Sequence, residues 1–187
     1  MFGRGSKSSG WKWGLIGTAI ASGALIPVVP ALKKRAMRAT TILKKDHRVL
    51  SGMMATLEVT PRINGMVRQR LFNQIRISFM MHAQIEEEIF YPEIRNLMFG
   101  IEVPKVNEAY HHDQIVKDIL NQIAAIDPIS NEFDSRIAEL RQYIDHHVRA
   151  EEVEMFPIAS RISAVQLEEI GRRMHDRKMN LKTQMAA

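Results

Sequence analysis

The chain has 187 residues, 45% of them hydrophobic, and no Cys, so it can form a packed core and has no disulfide, thiolate metal site or Cys nucleophile. Its net charge of +5 is unevenly spread: nine of the 26 basic residues lie in residues 1–45, which hold no acid, leaving 17 cations against all 21 acidic residues in the remainder. A basic leader on an acidic body lacks the cationic folded face of a nucleic-acid-binding domain, and no nucleic-acid partner is expected.

Residues 1–33 form the leader. Within it, Trp13 to Leu32 is a run of 20 uncharged residues, a length that at about 1.5 Å per residue just crosses a hydrocarbon core of about 30 Å. Trp11 and Trp13 lie at one edge and Lys33, Lys34 and Arg35 at the other. The segment therefore reads as a single-pass membrane anchor that leaves the body in the cytoplasm. Its three Gly, with Pro27 and Pro30, keep a surface-lying tail and a cleaved signal as competing readings.

Residues 34–187 read as one all-α domain. Amphipathic runs are expected over about 35–58, ending before Thr60-Pro61, and over about 62–97, with a bend at Tyr91-Pro92. A third follows Pro104 and stops near Asp127-Pro128, and a fourth runs from Asn131 to Phe156-Pro157. A short C-terminal helix, from a Ser163 N-cap to about Gln184, completes the chain. No window alternates with the period of a strand, and four runs with short connections predict an up-down antiparallel four-helix bundle.

An internal repeat carries the chemistry. The segment His82-Ala-Gln-Ile-Glu86-Glu87-Glu88-Ile-Phe-Tyr91-Pro92 recurs 65 residues later as His147-Val-Arg-Ala-Glu151-Glu152-Val-Glu-Met-Phe156-Pro157. The same offset takes His47 to His112, and each of these has an apolar residue three positions on. Each half is thus a helical hairpin reading His, then His-x-x-x-Glu, and the two should pack about a pseudo-twofold axis. On a helix, positions i and i+4 share a face, so His82/Glu86 and His147/Glu151 each aim an imidazole and a carboxylate at one point. Buried Glu is costly without a cation, and no Lys or Arg occupies the matching positions. Four His and two Glu suit a pair of divalent metals, iron, manganese or zinc, with one carboxylate of each half bridging. His111 and His146 adjoin the chosen His112 and His147, but the offset selects the latter pair. Glu87 and Glu152 are expected to support the ligands by hydrogen bonds, Glu88 and Glu154 to be solvated, His175 to lie on the surface, and Met53, Met54, Met80 and Met81 to pack.

These motifs, over roughly residues 39–181, resemble the hemerythrin-like (HHE cation-binding) domain. The resemblance implies an up-down bundle holding an oxo- or hydroxo-bridged di-iron centre that meets dioxygen or a related small oxidant. It implies the ligands His47, His82, Glu86, His112, His147 and Glu151, with Glu86 and Glu151 bridging, and it makes manganese and zinc the less expected metals. The oxygen carriers of that family place two His four apart on the third helix, whereas this chain has Glu108 four before His112. A carboxylate as seventh ligand favours the ferric state and argues against reversible oxygen carriage. The expected function is binding or sensing of dioxygen or a related ligand. The alternatives are an enzyme handling peroxide, nitric oxide or ferrous iron, and a membrane-tethered scaffold with a structural metal. No Gly-rich phosphate loop or Ser/His/Asp arrangement supports nucleotide or acyl chemistry.

Overall fold

The computed structural model describes residues 34–97 and 103–186. The expected anchor, residues 13–32, lies outside them. The described residues are helical without a strand, and none of their helices is long and apolar enough to cross a membrane. Helix α1 spans Ala39–Val59 and α2 Gly65–Ile85. A π-helical turn over Glu86–Phe90 leads from α2 into α3, Tyr91–Leu97. Helix α4 covers Val103–Ile123 and α5 Asn131–Arg149, which passes through a second π turn, Ala150–Met155, into α6, Phe156–Ala159. Helix α7 is Ala164–Ala186.

Each bundle helix buries one stripe at three- and four-residue intervals, the spacing of a single helix face. In α1 the stripe is Ala39, Leu43, His47, Leu50, Met54 and Leu57. In α2 it is Arg68, Phe72, Ile75, Phe79 and His82. In α4 it is Val106, Ala109, Asp113, Val116, Leu120 and Ile123, and in α5 Phe133, Ile137, Leu140, Ile144 and His147. The apolar members form two cores, one around Leu50, Phe79 and Leu140 and one around Leu43, Phe90 and Met174. The buried polar residues of the bundle centre fall between them.

The breaks follow local chemistry. Pro61 forces Thr60 out of the α region, to φ −74° and ψ 119°, and α1 ends there. Pro104 is accepted in the first turn of α4, where no helical N–H is needed. Ser130 caps α5 by accepting the Phe133 N–H at 3.1 Å. Ser163 caps α7 as expected, accepting the Gln166 N–H at 3.2 Å while Gln166 Oε1 accepts the Ser163 N–H at 3.3 Å.

The C-terminal helix runs as expected from the Ser163 cap: α7 has 23 residues and buries Leu167, Ile170, Met174 and Leu181 against α1, α2 and the first π turn. One expectation is revised. Helix α1 begins at Ala39 rather than near residue 35, because Arg38 is extended at φ −65° and ψ 138°. Gly171 of α7 presses on that break. A Cβ there would lie 1.8 Å from the Met37 carbonyl oxygen, so only Gly permits the two backbones to approach.

Candidate metal centre

The stripes bring His47, His82, Glu86, His147 and Glu151 together, each no more than 1% exposed. One ligand atom from each lies within 4.8 Å of all the others. The Nε2 atoms of His82 and His147, one from each repeat, face each other at 3.1 Å across the pseudo-twofold. Glu86 Oε2 is 3.1 Å from His82 Nε2, and Glu151 Oε2 is 3.1 Å from His47 Nε2 and 3.7 Å from His147 Nε2.

The outward nitrogen of every imidazole faces a carboxylate. His47 Nδ1 is 2.9 Å from Glu152 Oε1, His147 Nδ1 is 3.2 Å from Asp113 Oδ1, and His82 Nδ1 is 3.7 Å from Asp46 Oδ2. A carboxylate behind the ring fixes its orientation and makes the inward nitrogen a better donor. Glu152 thus supports a ligand as expected. Glu87 instead binds Lys117 and Gln114 on the surface, Glu88 pairs with Arg177, and Glu154 pairs with Lys105. His175 is exposed.

Two residues of the expected ligand set lie outside the cluster. Glu108 has a side chain 60% exposed, and His112 Nε2 faces His146 Nε2 at 3.3 Å, with Glu108 Oε1 at 4.0 Å. The reason is the phase of α4. Its stripe passes through Asp113, and the preceding residue is rotated by about 100° toward the edge. Asp113 is fully buried and stands behind His147 Nδ1 in the second half, as Asp46 stands behind His82 Nδ1 in the first. Phe156 stacks parallel on His47 at 5.9 Å, while its repeat counterpart Tyr91 donates its O–H to Asp113 Oδ2 at 3.1 Å and to Glu151 Oε1 at 2.8 Å. Asp113 escaped the sequence reading because the 65-residue offset was applied in place of the stripe. The spacing Val106, Ala109, Asp113, Val116 points to it.

The charge states suit a metal. Burial, with Glu151 and Asp113 nearby, pushes the Glu86 carboxyl well above its ordinary range, and burial with Glu151 does the same to Asp113. Burial lowers His82, and it lowers His147 to about 3, so both rings are neutral with free lone pairs. Burial opposes charge on Glu151 and on His47, but the surrounding imidazoles outweigh it for Glu151, and Glu151 and Glu152 outweigh it for His47. Both Glu86 oxygens, Glu151 Oε2 and His47 Nε2 are buried without a hydrogen-bond partner. Leaving such groups unpaired costs about 1–3 kcal/mol each, more when charged, and a cation held among them supplies the missing partner. The residues present fit a metal.

Similarity to known proteins agrees. Residues 38–159 match the hemerythrin HHE cation binding domain family. A Nostoc protein described as a DNA nickase is 31% identical over 161 residues, which is 84% of this chain, but the matched part spans only 44% of that relative's length. An uncharacterised protein of Mycobacterium tuberculosis is 26% identical over 148 residues, covering 78% of this chain and 88% of its own. Among solved structures, a hemerythrin HHE cation binding domain-containing protein from Mycobacterium kansasii superposes with a TM-score of 0.69 at 22% identity, over 79% of this chain and 88% of that one, and shares the fold. With well over half of its length matched and a buried His/Glu cluster able to hold a cation assembled from three of its bundle helices, this chain belongs to the hemerythrin HHE cation-binding family.

Proposed function

We propose that the chain is a non-haem iron protein that holds a pair of iron ions between its two hairpins and binds or senses dioxygen or a related small oxidant. The observation that carries this reading is the set of five mutually facing, fully buried donors with unpartnered carboxylate oxygens. Two buried carboxylates, Glu86 and Glu151, have no Lys or Arg beside them, so bound metal would supply the charge that balances them. Glu86 and Glu151 would bridge, His82 and His147 would hold opposite sides, His47 would bind beside Glu151, and Asp113 would orient His147. Bound iron would supply redox chemistry and an open coordination position.

The alternative, an enzyme acting on peroxide, nitric oxide or ferrous iron, is favoured over a structural metal by Tyr91. Its phenol donates into the cluster at Glu151 and Asp113 and can pass a proton there. With Glu108 exposed and Asp113 behind His147, no carboxylate of the third bundle helix joins the cluster, and the argument from Glu108 against reversible oxygen carriage does not apply. The full chain purified in air should contain a pair of irons per molecule and show a near-ultraviolet absorption band that dithionite bleaches. Zinc, a single ion, or no band would overturn the reading. Turnover with peroxide or ferrous iron would select the enzyme.

A further inference from the structure

The geometry points to a second binding site, for the anionic headgroups of a phospholipid surface, in the groove between α1 and α7. The groove has a volume of about 500 Å³, and its walls carry Lys45, Arg48, Lys178 and Lys182. The one acid among its lining residues is Asp46, which Lys178 Nζ holds at 2.5 Å. Lys45, Arg48 and Lys182 have no carboxylate partner among the described residues, so their charge is free for an anion. The floor is apolar, built from Ile42, Leu50 and Met81, and the rim bears Met179 at 49% exposure. A recess with cations above an aliphatic floor fits a phosphate headgroup whose glycerol and first methylenes follow it inward.

The position of the chain says which anionic surface this is. Ala36 and Met37 line the groove, and the uncharged run of residues 13–32 precedes them, closed by Lys33, Lys34 and Arg35. An apolar segment of that length, acting as the anchor expected from the sequence, would bring the groove to a bilayer. Nucleic acid fits less well. Its phosphate ladder needs cations along an extended face, whereas residues 46–187 carry more acids than bases and the cations here surround a methionine-rich recess. The groove's α7 wall lies beyond residue 159, where the family match ends, and Asp46, which stands behind His82, is the residue the groove shares with the surroundings of the metal centre.

The chain has no Cys, so Met179→Cys in the full chain takes a single environment-sensitive fluorophore at the groove rim, and Glu132→Cys reports on the far end of the bundle. The probes are vesicles of phosphatidylcholine alone, or of phosphatidylcholine with phosphatidylglycerol, both carrying a headgroup-level quencher. Quenching at position 179 is expected with the anionic vesicles only, is reversed by high salt, and does not occur at position 132. Each basic residue near an anionic surface raises partitioning about fivefold, so Lys45→Gln, Arg48→Gln and Lys182→Gln together should weaken the response by about 100-fold. Lys182→Gln alone should weaken it about fivefold, a mild change that guards against misfolding as the cause. Unchanged iron content in these variants separates the result from the metal assignment. Equal quenching by both vesicles, no loss in the variants, or a response to duplex DNA but not to vesicles would overturn the proposal.

Discussion

Glu86 is the residue most dependent on a partner from outside the chain, since both its oxygens are buried and unbonded. Glu86→Ala and His147→Ala should each abolish metal binding, checked by metal analysis of the purified protein, whereas Glu108→Ala should leave metal content unchanged. Retention of metal in both of the first two variants would remove the ligand assignment. At the opposite end of the bundle, Arg68 is 4% exposed and donates to Pro128 O at 2.7 Å, Thr60 O at 2.9 Å and Asp134. Its removal strands two carbonyls and leaves Asp134 to Arg62 alone, so Arg68→Ala should cost about 2–4 kcal/mol in denaturant unfolding. Burial opposes charge on Asp134, but bonds from Arg68 and Arg62 outweigh it and hold its pKa below the ordinary aspartate value. A depressed folded pKa stabilises above the unfolded value and loses that stability as pH falls through the folded one. The stability gap between wild type and Asp134→Asn should therefore be full at neutral pH and close below about pH 4, in urea titrations across that range. Five of the seven expected ligand residues meet in the buried cluster, four of them because a His and a Glu four apart must share a face. The third-helix pair misled because a repeat offset is an alignment, and one residue of slip in it turns a side chain through about 100°.

At the scale of the element, the two π turns explain how Pro follows so closely on the site. Tyr91 N–H bonds to Glu86 O and Phe156 N–H to Glu151 O, each five residues back rather than four. The extra residue spreads the backbone just before Pro92 and Pro157, whose rings would otherwise meet the carbonyl four residues earlier. The expected bend at Tyr91-Pro92 is thus taken up by a wider turn. The signal was present in both halves, where Glu86 to Tyr91 and Glu151 to Phe156 are five apart although both members are buried. Deleting Gln74 in mid-α2 should rotate His82 and Glu86 off the site, with metal lost by metal analysis while circular dichroism still shows a helical chain. For α7, Gly171→Ala sets a methyl against backbone atoms of Met37, Arg38 and Ala39. We expect a loss of about 1–3 kcal/mol in thermal or denaturant unfolding with metal retained, because α7 contributes no ligand.

At the scale of the whole molecule, two hairpins of one plan produce a core that is nearly symmetric and a centre that is not, since His47 joins the cluster and its repeat counterpart His112 does not. The helical architecture could be read from hydrophobic period and proline positions, because both act locally. Where α7 lies could not be read in this way. Its stripe of Leu167, Ile170, Met174 and Leu181 states that it packs, and only the surface offered by α1 and α2 states where. A chain that starts at Lys34 should keep its metal and its unfolding midpoint, since every proposed ligand lies beyond Lys45. A drop in iron content on removing residues 1–33 would tie the leader to the centre. The close crossing at Gly171 bears on the same question as a matter of mechanics. Where α7 meets Met37, main chain rests against main chain with no side chain between to yield. Tension drawn along the leader therefore reaches this cleat ten residues before His47, and α7 takes the load while the ligands stay at their spacing.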